Sequence, residues 1–255
     1  MSLHVSETGT QDAPSIVFLH GIGTSGWMWW QQTPAFTDFH CLNVDLPGHG
    51  KSNHVPWVSL AQTADEIARL IQSHAPSGKA HIVGLSLGGH VALLLLERYA
   101  SAVDRAVISG VTASPWANRA LLKPQLWLMS RVMQRGWFAD MQAKSRKLPP
   151  QAQAALTENL RAMSMDTYRR IVEEVAAYYV PPALRDVSTP LLVAAGSSES
   201  KAIKEAVTVI PQTMPNARGV FAPGVGHGWN VEAPDLFNAT VRAWVCDELL
   251  PPVLG

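Results

Sequence analysis

The chain has 255 residues, 47% of them hydrophobic, and its 20 Lys and Arg balance its 20 Asp and Glu. That length and apolar content allow a sizeable buried core, in one large α/β domain or two small ones. Zero net charge argues against nucleic acid as the main partner.

Taken in order, residues 2–8 suit an edge strand. Ser15 to Leu19 is a short β-branched and aromatic run of the kind buried in a parallel sheet. It runs into His20-Gly21-Ile22-Gly23, and a helix is expected near Trp27 to Gln32. Cys41 to Asp45 is the next strand, followed by the turn-rich Leu46-Pro47-Gly48-His49-Gly50-Lys51-Ser52. Ser59 caps an amphipathic helix with Ile67, Leu70 and Ile71 on its apolar side. Strands follow at Ile82-Val83, Ala106 to Ile108, Leu191 to Ala194 and Gly219 to Phe221, and a last helix spans Pro234 to Leu249. Strands alternating with helices imply a mostly parallel central sheet covered by helices on both faces.

The rhythm changes between Ala113 and Pro182, where only helical patterns occur. Leu122, Leu126, Met129 and Met133 share one helical face. The expected organisation is a core of residues 1–112 and 184–255 with a helical cap insertion at 113–183. From Pro115 to Pro150 the insertion is basic: Arg119, Lys123, Arg131, Arg135, Lys144, Arg146 and Lys147 face Asp140 alone. These charges either meet an anionic surface or simply form the solvated side of helices.

Cys41, in a strand, and Cys246, in a helix, have neither disulfide nor metal spacing, and read as buried free thiols in a reducing compartment. The first residues carry no signal-peptide pattern, and the longest apolar runs, such as Val91 to Leu96, are too short to span a bilayer. A soluble, cytoplasmic protein is expected, although the mature form of a processed precursor would look the same. No feature sets an oligomeric state.

The most informative stretch is Gly84-Leu85-Ser86-Leu87-Gly88, between an apolar strand and an apolar helical pattern. A G-x-S-x-G turn lifts its serine clear of both elements and aims the next amide, that of Leu87, at any oxyanion forming there. Small neighbours are required because a Cβ at Gly84 or Gly88 would collide with the adjoining element. Taken alone, the five residues could equally be a glycine-rich turn with a bystander serine.

Together with His20-Gly21-Ile22-Gly23, Asp45-Leu46-Pro47-Gly48-His49-Gly50-Lys51-Ser52 and Gly226-His227, in this order, the elbow makes the chain resemble the α/β-hydrolase superfamily. The likeness covers nearly everything but the helical insertion, which matches only as a cap of variable sequence. It implies Ser86 as nucleophile and His227 as general base, and the chemistry agrees, since a serine hydroxyl needs a base to take its proton. The family's acid follows the strand that here ends at Ala194-Ala195-Gly196, where Glu199 stands in place of the commoner Asp. The alternative position, Ser109 to Ser114, offers no carboxylate. If Glu199 is instead a solvated carboxylate, some other group completes the site. The resemblance assigns the oxyanion hole to the backbone amides of Ile22 and Leu87, His20 to bracing that loop, and structural roles to His49 and His90. Ser86 speaks against the dehalogenase and epoxide-hydrolase branches, which use Asp there. Ile22 departs from the glycine-only loop of hydrolases specialised for bulky tertiary alcohols.

Tryptophan is abundant, and Trp27, Trp127 and Trp229 are expected to line an apolar pocket. The implied reaction is hydrolysis of small or medium acyl esters, with no metal or cofactor and a small-molecule ester as partner. Carbon–carbon bond hydrolases, lactonases and slow-turnover small-molecule receptors share the same framework.

Overall fold

The computed structural model describes residues 2–117, 121–145 and 148–255. Seven strands form one sheet: β1 (Val5–Gly9), β2 (Ser15–Leu19), β3 (His40–Val44), β4 (Ala80–Leu85), β5 (Val103–Ser109), β6 (Leu191–Gly196) and β7 (Ala217–Ala222). Their spatial order is β1-β3-β2-β4-β5-β6-β7. Only β1 runs antiparallel, pairing Val5 with Val44 and Gly9 with His40. The other pairings are parallel.

The apolar runs are continuous because both sheet faces are covered. Val17, Leu19, Ile82, Ile108 and Val193 point into one cluster, beneath α1 (Leu60–His74) and α2 (Leu87–Tyr99). Their alternates Ile16, Phe18, Val83, Val107 and Leu192 point into the other. That second face packs against Phe237 and Val241 of α9 (Pro234–Val245). Ser59 caps α1 as expected, its Oγ accepting from the Gln62 amide at 3.0 Å. The helix α7 (Lys201–Thr213) joins β6 to β7, and the short α8 (Trp229–Glu232) precedes α9.

Three local expectations are corrected. The segment after the first loop forms 3₁₀ turns at Gly26–Trp29 and Thr33–Phe36, not a helix through Gln32. The backbone there closes i→i+3 bonds, the Trp30 amide donating to the Trp27 carbonyl at 3.1 Å and the Gln32 amide to the Trp29 carbonyl at 2.9 Å. The last helix ends at Val245 rather than Leu249, because Asp247 adopts a left-handed φ of 60°. Cys246 is therefore an exposed cap residue, whereas Cys41 is buried and its thiol is pushed up to about 12 by burial. Among the described residues no helix is long and apolar enough to cross a membrane.

Among the described residues four α-helices lie between β5 and β6: α3 (Leu122–Val132), α4 (Gly136–Ser145), α5 (Pro150–Ala162) and α6 (Met165–Ala177). They share a small core built around Met133, Phe138, Leu156, Leu160 and Met163. Ile22, Trp27 and Val231 of the main body pack against it, which holds the insertion above the strand ends. Lys123, Arg131, Arg135 and Lys144 lie on its exposed faces, while Arg119, Arg146 and Lys147 fall outside the described residues.

Candidate active site

The β4–α2 turn places Ser86 at φ 55° and ψ −111°, one of two non-glycine residues with positive φ among those described. Such a backbone persists only where its surroundings over-determine it. Here the Ser86 amide donates to the Ser109 carbonyl at 2.8 Å, and the Ser86 carbonyl accepts from the Gly89 and His90 amides. A Cβ on Gly84 would sit 2.6 Å from the Gly88 carbonyl oxygen, and one on Gly88 would strike the Leu19 carbonyl. The glycines flanking Ser86 are thus demanded by the close approach of strand and helix.

His20 organises the neighbouring loop. Its Nδ1–H donates to the Gly21 carbonyl at 2.8 Å, and its Nε2 accepts from the Leu46 amide at 3.0 Å. Burial lowers its pKa to about 4, so the ring is neutral at pH 7. The Thr24 hydroxyl also donates to the Gly21 carbonyl, at 2.7 Å. In a trans peptide this directs the Ile22 N–H the opposite way. The loop lies directly beside the elbow, since a Cβ on Gly21 would sit 3.6 Å from Ser86 Cβ. Leu87 opens α2, where first-turn amides have no intrahelical acceptor. His49 stacks edge-on against His20 at 4.9 Å, and burial lowers its pKa to about 3.

His227 and Glu199 come from two loops that are stitched together. The Ser197 amide donates to the Ala222 carbonyl, the Ser198 amide to the Val225 carbonyl, and the Gly224 amide to Ser197 Oγ at 2.8 Å. This brings Glu199 Oε1 to 2.7 Å from His227 Nδ1. The Glu199 side chain is only 6% exposed, whereas that of His227 is 46% exposed. The pairing presents Nδ1–H to the carboxylate and leaves Nε2 free to accept a proton. His90 lies beneath, its Nδ1–H donating to the Ser86 carbonyl at 3.0 Å, and burial lowers its pKa to about 4.

Ser86 and His227 border two cavities. The larger, ≈ 480 Å³, is walled by the insertion through residues such as Leu126, Met129, Tyr168, Ile171 and Val175. The smaller, ≈ 320 Å³, lies toward Thr24, Trp27, Leu148, Asn230 and Glu232. The three expected pocket tryptophans separate. Trp27 borders the smaller cavity. Trp127 is 60% exposed beneath the Arg131 guanidinium, 5.1 Å from its ring, and borders neither cavity. Helical periodicity explains this: with Leu126 turned inward, residue 127 turns out. Trp229 is fully buried, donating to Ser109 Oγ at 2.7 Å and packing on Phe237, so it supports the elbow from below.

Several lining residues escaped sequence reasoning. Tyr168, Ile171, Val172 and Val175 repeat at i, i+3, i+4, i+7 and mark the cavity face of α6, a signal present in the sequence. Gly110 has φ 69°, and a Cβ there would come within 2.7 Å of His227 Cε1. Its tight fit against the ring left no trace in the chain. Among the described residues no group of three or more His, Cys, Asp or Glu could hold a metal ion.

The sequence model of the Alpha/beta hydrolase family matches residues 16–240. An AB hydrolase superfamily protein from Gibberella zeae is 28% identical over 245 residues, covering 93% of this chain and 82% of that protein. The 3-oxoadipate enol-lactonase 2 of Acinetobacter baylyi is 24% identical, covering 95% and 92%. A thermophilic esterase from Thermogutta terrifontis shares the fold with a TM-score of 0.79 and 22% identity, covering 96% and 93%.

Proposed function

The chain belongs to the Alpha/beta hydrolase family, and from that premise we propose that it is a serine hydrolase of carboxylic esters with small to medium acyl chains. The observation that carries the reading is the pairing of His227 with Glu199 at 2.7 Å on the wall of the cavities that Ser86 opens into. His227 Nε2 takes the proton as Ser86 Oγ attacks the ester carbonyl, and Glu199 stabilises the imidazolium that results. The Ile22 and Leu87 amides receive the developing oxyanion. Collapse expels the alcohol with the proton from His227. Water then attacks the acyl-enzyme with His227 again as base, releasing the acid and restoring Ser86.

The insertion acts as a cap: its α3 and α6 residues supply most of the apolar wall of the larger cavity, which suits an acyl chain. A lactone is an internal ester, and the enol-lactonase likeness makes lactone opening the second reading. An adipate-type substrate carries a carboxylate, however, and the charged side chain on the smaller cavity is the acidic Glu232. Esters that carry no carboxylate therefore fit better.

The test is steady-state turnover of p-nitrophenyl esters of graded chain length by the wild type and Ser86→Ala. Repeated turnover that falls on the order of 10⁴-fold or more in the variant is expected. A single burst with no steady rate would indicate a receptor, and a variant that keeps most of its rate would overturn the assignment of Ser86.

A further inference from the structure

The two cavities beside Ser86 differ in chemistry. The larger is walled mainly by aliphatic and aromatic side chains of α3 and α6. The smaller carries two side-chain acceptors, on Asn230 and Glu232. The Thr24 hydroxyl is engaged within its loop, its hydrogen on the Gly21 carbonyl and its oxygen 3.4 Å from His20 Nδ1. Asn230 is 1% exposed, and its Oδ1 has no hydrogen-bond partner among the described residues. Its amide nitrogen is held by the Met28 carbonyl at 3.5 Å, and its backbone carbonyl by Gln32 Nε2 at 2.9 Å, so the side chain is fixed in place. Glu232 gives one carboxylate oxygen, Oε2, to the Gly226 amide at 3.1 Å. The other, Oε1, lies 3.8 Å from where a Cβ on Gly228 would be, alongside the residue after His227.

A buried acceptor without a donor carries the full cost of its desolvation. A ligand group that supplies the donor recovers that cost, and a site built this way rejects analogues lacking it. A carboxylate nearby favours a donor that is also a cation. Trp27, whose Nε1 is likewise unpartnered, adds one donor suited to an ether or ester oxygen.

We propose that the smaller cavity is the leaving-group site, and that Asn230 and Glu232 select an alcohol bearing a protonated amine. This rests on the ester-hydrolase reading above. It places the apolar acyl chain under α3 and α6, and the amino alcohol beside Gly228, Asn230 and Glu232. There His227 can hand its proton to the departing oxygen. No bond to nitrogen forms or breaks; the ammonium is recognised, not transformed.

The experiment compares two butyrate esters of nearly equal shape, the 2-(dimethylammonio)ethyl ester and the neutral 3-methylbutyl ester. The first carries an N–H donor and a positive charge at the position where the second carries C–H. Beyond the ratio of the two esters' uncatalysed hydrolysis rates, the wild type should favour the ammonium ester by about fivefold in kcat/KM, the upper end for a partly exposed ion pair. Glu232→Gln keeps an acceptor for the Gly226 amide and removes the charge, so the ratio should fall about fivefold, to that of uncatalysed hydrolysis. Because the ratio is taken within each protein, a general loss of activity does not alter it. A third ester, 6-(dimethylammonio)hexanoate of 3-methylbutanol, places the cation on the acyl side, too far from the carbonyl to activate it, and should gain nothing over the matching 7-methyloctanoate. A wild-type ratio no higher than that of uncatalysed hydrolysis, a ratio unchanged in Glu232→Gln, or a preference for the acyl-side cation overturns the assignment while leaving ester hydrolysis intact. Failure to turn over these esters and the p-nitrophenyl esters alike overturns the hydrolase reading and the subsite with it.

Discussion

Glu199→Gln changes one atom of a nearly buried side chain and removes the charge that faces His227. The carboxylate oxygen lies 2.7 Å from Nδ1, which puts the charge centres of the ion pair formed during reaction about 4 Å apart. At an effective dielectric of about 20, the attraction lost is about 4 kcal/mol, or roughly 10³ in rate. The glutamine brings a second loss. Its amide can donate to Nδ1, moving the ring proton to Nε2, the nitrogen that must accept the proton of Ser86. Wrong-tautomer variants of such triads fall by roughly 10⁴ in kcat. The expected kcat for p-nitrophenyl butyrate is therefore about 10³- to 10⁴-fold below wild type, in a protein whose thermal melt and circular dichroism show a normal fold. Glu199→Asp draws the carboxylate back by about 1.5 Å and should restore part of the rate. A folded Gln variant within tenfold of wild type would refute the pairing and leave Ser86 and His227 as a dyad.

Gly110→Ala places a methyl 2.7 Å from His227 Cε1 at a φ of 69°. It should lower kcat by about 10² through displacement of the ring, with only a modest fall in Tm; unchanged kcat would show that the ring tolerates the shift. Trp127→Ala should leave the acyl-chain profile of kcat/KM unchanged, while Tyr168→Ala, on the cavity wall, should alter it; the reverse result would relocate the pocket. Stability should also fall in mild acid. His20 and His90 have folded pKa values near 4 and His49 near 3, below the 6.5 of the unfolded chain. The unfolded state alone therefore binds these protons as pH drops from 6.5 toward 4, and stability present above pH 6.5 is lost across that window. By pH 5 each histidine costs about 2 kcal/mol, which urea melts at pH 7.5 and 5 would register; equal midpoints would show that the three rings are not held neutral.

The local order of the residues carried much of this protein. Alternation and apolar runs specified the strands of a doubly covered sheet, because a strand buried on both faces must be apolar at every position. Gly84-Leu85-Ser86-Leu87-Gly88 specified the elbow, because only glycines survive where α2 comes back against β4 and the end of β2. The face of α6 through Tyr168 and Val175 was legible too, as spacing, though not as a cavity wall. Distances across the chain were decided elsewhere. Glu199 and His227 are 28 residues apart, and their 2.7 Å contact depends on the β6 and β7 loops being bonded to each other. Trp127 and Trp229 looked alike as aromatic neighbours of a proposed cleft. Packing turned one outward beneath Arg131 and sank the other under the elbow. The fit of Gly110 to the His227 ring, and the separation of an apolar cavity from one lined by Asn230 and Glu232, exist only once α3, α6 and α8 have closed around the sheet edge. Periodicity tells which side of an element is buried, but not what it is buried against, and the chemistry of a site is set by that second fact.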